Sequence, residues 1–211
     1  MTESQQDPPR ERKQRRSPLG LAIQVGTLVF VGGLLGLLVQ RLIQSSSGPH
    51  LVAAVRAQNK PTAPDFRHAV IWRHAETWSA SLQPLAQRDQ LRLRALRGHP
   101  VVLNFWASWC IPCGREAPRL NASAAAHRNT VAFLGIDVKD FTGEARRFLR
   151  HHHTNYVSVH ASGPQPYENY GLTGLPETYY LDARGRILAH TVGEVSPREL
   201  EAGVARIEAA K

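Results

Sequence analysis

Cysteine is almost missing from this chain: of 211 residues, only Cys110 and Cys113 carry a thiol. That scarcity excludes a disulfide-stapled scaffold, because a bridge across two intervening residues closes too small a loop to restrain the unfolded chain. It also excludes a zinc site built from two cysteine pairs. Charge is missing from one long stretch, since no charged residue lies between Arg16 and Arg41. No small-x-small cleavage site stands near the end of that stretch, which argues for retention over removal as a signal peptide. No internal repeat is present. The formal charge of +9 comes without any nucleic-acid-binding motif, so DNA and RNA are not expected partners.

The uncharged run from Leu19 to Val39 is nearly all apolar, with Gln24 and Thr27 its only strongly polar side chains. At about 1.5 Å per residue it is long enough for a bilayer core of about 30 Å. Its glycines suit lipid better than a soluble helix. Arg10, Arg12, Lys13, Arg15 and Arg16 precede it, and only Arg41 follows closely. That asymmetry puts the N-terminus in the cytoplasm and the remainder outside. The expected organisation is a cytoplasmic tail over 1–17, a transmembrane anchor over 18–40, a linker over 41–60 and a folded domain over 61–211. A cleaved signal is the competing reading. The tail and linker hold over half of the excess positive charge, and a topology signal accounts for it. If flexible, a twenty-residue linker spans roughly 25 Å.

Within 61–211, Val101 to Trp106 is an apolar run rich in β formers and predicts a buried strand. A helix follows Cys110, with Pro112 in its first turn and Pro118 placed to kink it. Thr130 to Val138 predicts a second buried strand. Thr142 is the expected N-cap of the next helix, with Ala145, Phe148 and Leu149 on its apolar face. Tyr156 to His160 predicts a third strand. Thr178–Leu181 and Arg186–Thr191 flank Asp182-Ala183-Arg184-Gly185, a hairpin signature. Ser196-Pro197-Arg198-Glu199 is a capping box opening the last helix. The order β-α-β-α-β, hairpin, α predicts an α/β fold with a mixed central sheet covered by helices. Residues 67–90, with Trp72 and Trp78, carry no clear assignment.

The chemistry is concentrated in Asn104-Phe105-Trp106-Ala107-Ser108-Trp109-Cys110-Ile111-Pro112-Cys113. A dithiol at the start of a helix meets backbone N–H groups and the positive end of the dipole, which favour a thiolate. Cys110 is the candidate nucleophile, exposed at the helix start. Cys113, one turn on and more buried, is the resolving thiol. Ile111 and Pro112, between the sulfurs, are placed to tune redox poise. Trp109 is placed to cover the sulfurs and Trp106 to pack in the fold. Glu116, one turn past Cys113, is either a proton carrier for the buried thiol or a plain exposed helix carboxylate. His151-His152-His153 is either a set of imidazole ligands or a solvated helix end.

Together with Ala63-Pro64-Asp65-Phe66 and Gly171-Leu172-Thr173-Gly174-Leu175-Pro176-Glu177-Thr178, this segment resembles the membrane-anchored TlpA/ResA/DsbE (CcmG) group of extracytoplasmic thiol–disulfide oxidoreductases. The resemblance covers 61–211. It implies a thioredoxin-like three-layer fold preceded by one N-terminal transmembrane helix, on a bacterial cytoplasmic membrane with the domain outside. It implies a cis Pro176 facing the dithiol, with Leu175 pairing to an extended substrate and Glu177 shaping the groove or lying solvated at a strand edge. The acidic position in the strand before the dithiol of thioredoxins is here Asn104, which cannot titrate; the resemblance implies Glu116 as the proton carrier, with the plain exposed carboxylate as the alternative. The segment Gly135-Ile136-Asp137-Val138-Lys139-Asp140 points to the DsbE branch, whose members reduce apocytochrome c, whereas Ile111-Pro112 is closer to TlpA and ResA. The expected partners are a disulfide-bearing protein, apocytochrome c among the candidates, and a membrane thiol-electron donor of CcdA/DsbD type. No metal or other cofactor is expected beyond the dithiol. A general disulfide reductase or an oxidant of other exported proteins, and a non-enzymatic tethered partner- or copper-binding module, remain the alternatives. A peroxidase is disfavoured because no Pro-x-x-x-Thr-x-x-Cys surrounds Cys110.

Overall fold

The computed structural model describes residues 18–44, 51, 53–55 and 59–210; within the first stretch, side chains are described at 24 and 26–40. The expected cytoplasmic tail lies outside the described residues. The chain divides into two units, Met1–Ser45 and Ser46–Lys211. Among its described residues the first holds helix α1 (Pro18–Gln44), with Leu28, Phe30 and Leu37 among the exposed apolar side chains. Among the described residues no helix is long and apolar enough to cross a membrane; within the expected span the side chains at 18–23 and 25 are not among those described.

The second unit is built around β1 (Arg67–Trp72), α2 (Gln83–Ala86), β2 (Gln90–Arg92), β3 (Val101–Trp106), α3 (Ile111–Ala126), β4 (Ala132–Val138), α4 (Thr142–His151), β5 (Val157–Ala161), α5 (Gln165–Tyr170), β6 (Glu177–Leu181), β7 (Ile187–Val192) and α6 (Pro197–Glu208). The seven strands form one sheet in the order β2-β1-β5-β4-β3-β6-β7. β3, β4 and β5 pair in parallel, and every other pairing is antiparallel. The sheet is therefore mixed, with its parallel members central and buried, as helical crossovers require. Leu51 is buried in the core and Val55 packs against it, inside the stretch read from sequence as linker.

Successive side chains of β3 serve different packing regions, as the period of two demands. Leu103 and Phe105 join one apolar cluster with Ala86 and Tyr170 of the short helices α2 and α5. Val102 joins a second with Leu120 of α3 and Val204 and Ile207 of α6. Trp106 joins a third with both cysteines and with Ala145 and Leu149 of α4. The dithiol thus rests on core, not on a surface loop. Residues 67–90 supply the antiparallel edge β1–β2, and Trp78 is buried with its indole N–H donating to the Phe133 carbonyl at 2.9 Å.

Local termini differ in one place from expectation. Phe141, not Thr142, is the N-cap of α4, and no side chain caps that helix. The Asp140 carboxylate instead accepts from the Phe141 N–H at 2.7 Å. The Ser196/Glu199 capping box of α6 and the left-handed Gly185 in the hairpin turn are both present. α3 continues through Pro118 to Ala126.

Gly203 of α6 lies flat on the Tyr180 ring, and a Cβ there would overlap it. Tyr180 is a buried strand residue and has nowhere to withdraw. Gly203→Ala is expected to destabilise the domain by about 1–3 kcal/mol despite alanine's higher helix propensity. Chemical denaturation measures this, and an unchanged midpoint refutes the packing argument.

Candidate active site

β3 runs directly into the dithiol. Its last residue, Trp106, stacks on Phe148 of α4 with ring centroids 4.7 Å apart. Room for the indole is left by Gly135 of β4, where a Cβ would press on Trp106 Nε1 and overlap Ser158. Cys110 is the N-cap residue of α3, in extended backbone, and Pro112 falls in the first helical turn, where no N–H is needed. Cys110 and Cys113 are joined by a disulfide. Cys110 Sγ accepts from the Cys113 N–H at 3.2 Å, so this sulfur takes the position of a capping oxygen. A donor aimed at Cys110 Sγ stabilises negative charge there when the bond is reduced. The expected exposure of Cys110 is not found: it is 4% exposed and Cys113 2%. The bond to Cys113 and the packing of Trp106, Ala145 and Leu149 account for this.

Access comes from the rim. Trp109 is 60% exposed, Ile111 74% and Phe141 81%, so three large apolar side chains stand in solvent near the dithiol. Trp109 does not lie free, because its indole N–H donates to the Lys139 carbonyl at 3.0 Å. An open groove beside Cys110 is lined by Trp109, Ile111, Arg147, Phe148, His151 and His152. Leu175 packs against the cysteine cluster, and the Leu175–Pro176 bond is cis.

Glu116 is not an exposed helix carboxylate; it is fully buried. Its Oε1 accepts from Asn104 Nδ2 at 2.8 Å and its Oε2 from the Val195 N–H at 2.9 Å. Burial pushes its pKa up to about 7, against those two hydrogen bonds, which lower it. Arg115 and Arg119 secure the same stretch by pairing with Glu194 at 2.7 Å each.

Of the two readings of Glu177, shaping the groove or lying solvated at a strand edge, the solvated one is not found. Glu177 is fully buried, so it acts on its surroundings through the backbone and side chains that it binds. Oε1 accepts from the N–H and hydroxyl of Thr173 and from the Gly174 N–H, and Oε2 pairs with His190 Nε2 at 2.7 Å. Burial raises its pKa, but the His190 bond and the two backbone bonds outweigh it, and the carboxyl sits below its usual value. Glu177 is a positioning residue for the turn that leads into Pro176. His190, which completes it, also stacks on Tyr179 at 4.0 Å.

Two further features escape a reading of local sequence. Asp140 receives both the backbone N–H and the hydroxyl of Ser108, two residues before Cys110. Asp137 is buried opposite His160 in the β4–β5 register and pairs with His160 Nδ1 at 2.7 Å. Burial raises the Asp137 pKa, the His160 bond opposing. The signal in both cases is an acidic residue in or just after an otherwise apolar strand. Among the described residues, no group of three or more His, Cys, Asp or Glu is arranged to hold a metal ion, the His151–His153 run included.

Comparison with known proteins agrees with this geometry. Residues 63–190 match the AhpC/TSA family. The chain is 37% identical over 114 residues to the thiol:disulfide interchange protein DsbE of Pseudomonas fluorescens, covering 53% of this chain and 62% of that one. It is 32% identical over 123 residues to the thiol:disulfide interchange protein HelX of Rhodobacter capsulatus, covering 57% and 68%. The match thus spans just under two thirds of the first protein's length. The fold is shared with a secreted Mycobacterium tuberculosis disulfide oxidoreductase homologous to E. coli DsbE, with a TM-score of 0.55 at 24% identity over 67% of this chain and 95% of that one. A helix-capping Cys110–Cys113 pair, a cis-proline turn and these relatives converge, and the chain belongs to the AhpC/TSA family, with a thioredoxin-like fold.

Proposed function

We propose that this chain reduces disulfides in extracytoplasmic proteins during cytochrome c maturation, from an N-terminal anchor in the bacterial cytoplasmic membrane. The observation that carries the exchange chemistry, in either direction, is Cys110 Sγ at the helix N-cap, beneath a rim of exposed Trp109 and Ile111. The reduced Cys110 thiolate attacks one sulfur of the substrate disulfide, and the second substrate sulfur leaves as a thiolate. Cys113 gives up its proton and attacks Cys110 Sγ, which expels the first substrate sulfur and leaves the Cys110–Cys113 disulfide. Two electrons have passed to the substrate, whose thiolates take up two protons. Glu116, one turn from Cys113 and with a pKa near neutrality, is suited to accept the Cys113 proton. Leu175 offers its backbone to an extended substrate beside the dithiol. A membrane thiol-electron donor of CcdA/DsbD type returns the domain to its reduced state. The anchor reading rests on the uncharged run after Arg16 and on the basic residues before it.

The test is capture. Cys113→Ser strands the intermediate as a mixed disulfide on Cys110, and the captured protein names the substrate. Apocytochrome c in the adduct supports the reading, and recovery of no adduct overturns it.

One observation favours an oxidant instead: the N–H aimed at Cys110 Sγ stabilises the reduced form, which raises the potential. The reduction potential separates the two readings. The expected value for a reductant is about −250 mV or lower, and a value near −120 mV establishes the oxidant.

A further inference from the structure

Far from the dithiol in the strand order, the sheet ends at β2, and beside this edge lies a concave surface lined by Arg67, Arg88, Arg92, Arg94 and Arg97. No acidic side chain lines it. Two acidic groups stand near. Asp65 binds Arg92 Nε at 2.6 Å and approaches Arg94 at 4.0 Å, and Asp89 pairs with Arg73 at 3.4 Å. Arg67, Arg88, Arg94 and Arg97 are exposed, and no acid neutralises Arg67, Arg88 or Arg97 in a described ion pair. One or two charges suffice to keep an edge strand from pairing with another chain. Five guanidinium groups around one hollow exceed that need, and their planar donors match phosphate oxygens.

The segment leading into β1 runs beside this surface. Thr62 bridges to Arg186, and Thr62 and Asp65 line a neighbouring cavity that includes Arg94 and Arg97. Fewer than about twenty-five residues of sequence separate Thr62 from the uncharged run.

We propose that the arginine hollow docks on the phosphate headgroups of an anionic lipid surface, holding the β2 edge at the membrane. The orientation rests on the anchored reading given above. The charge complementarity stands without it. Lipid is the occupant because the hollow is basic and open, its planar donors match headgroup phosphates, and the neighbouring Thr62 is close in sequence to the uncharged run.

The full chain is reconstituted into vesicles of phosphatidylcholine alone or mixed with phosphatidylglycerol, and amide hydrogen exchange is followed over residues 88–97. The anionic vesicles are expected to slow exchange there by about fivefold or more, with the effect lost in high salt and in Arg88→Glu/Arg94→Glu. Exchange by the Cys110–Cys113 pair is expected to be unchanged in that variant. Equal protection in the two lipid mixtures overturns the proposal and makes an acidic protein the better occupant. A chain that washes off phosphatidylcholine vesicles at alkaline pH refutes the anchor, not the hollow. Salt-sensitive co-sedimentation with phosphatidylglycerol vesicles, lost in the double variant, then decides the hollow by itself.

Discussion

Cys110→Ser is expected to lower protein-disulfide reduction by at least about a thousandfold, because a serine hydroxyl neither ionises at neutral pH nor forms a disulfide. The fold should survive the change. Cys110 Sγ acts as the N-cap acceptor for the Cys113 N–H, and serine is among the best residues at that position. Loss of activity with a retained cooperative unfolding transition therefore isolates the chemistry from the scaffold. The pair is asymmetric. Cys113→Ser leaves the attacking sulfur intact and blocks only resolution, so it accumulates adduct where Cys110→Ser forms none. Activity surviving in Cys110→Ser, read as turnover of a protein disulfide, removes the basis of the proposed function.

The second large effect concerns pH. Glu116 is fully buried and burial raises its carboxyl to about 7 from an ordinary 4.5. Between those values the folded protein binds a proton that the unfolded chain releases. Stability from this group is fully present below about pH 4.5, falls as pH rises, and is lost above about pH 7. The loss is at most about 3.5 kcal/mol, from about 1.4 kcal/mol per pKa unit. Asp137 is shifted in the same direction and adds to the slope. Glu116→Gln keeps an acceptor for Asn104 but cannot ionise, so denaturation midpoints of the variant should vary less between pH 4.5 and 7. A slope equal to that of the unsubstituted chain refutes the burial argument.

What the sequence makes legible is whatever short-range pattern controls. The apolar run Val101–Trp106, the turn at Asp182–Gly185 and the Ser196/Glu199 box each declare an element within a few residues, and each is found. The dithiol is legible for the same reason, because four consecutive residues hold both sulfurs and the helix start. What stays hidden depends on register between distant strands. Asp137 faces His160 only because β4 and β5 pair in parallel at that offset. Glu177 finds His190 across the β6–β7 hairpin, which turns an apparent edge residue into a buried brace. Trp78 meets the Phe133 carbonyl across 55 residues, so no window along the chain reveals why 67–90 folds. Thr142 misleads for a different reason. It is a good capping type placed one residue late, and Asp140 supplies the carboxylate near the α4 start instead.

The Asp140 clasp has a mechanical side. One carboxylate gathers the Ser108 N–H, the Ser108 hydroxyl and the Phe141 N–H, while Trp109 leans on the carbonyl of Lys139. The peptide that carries the 81%-exposed Phe141 ring and the peptide two residues ahead of Cys110 are thus riveted to the same group. Phe141 and the loop that leads to Cys110 therefore hang on a single carboxylate, and a displacement of either is expected to strain the bonds that hold the other.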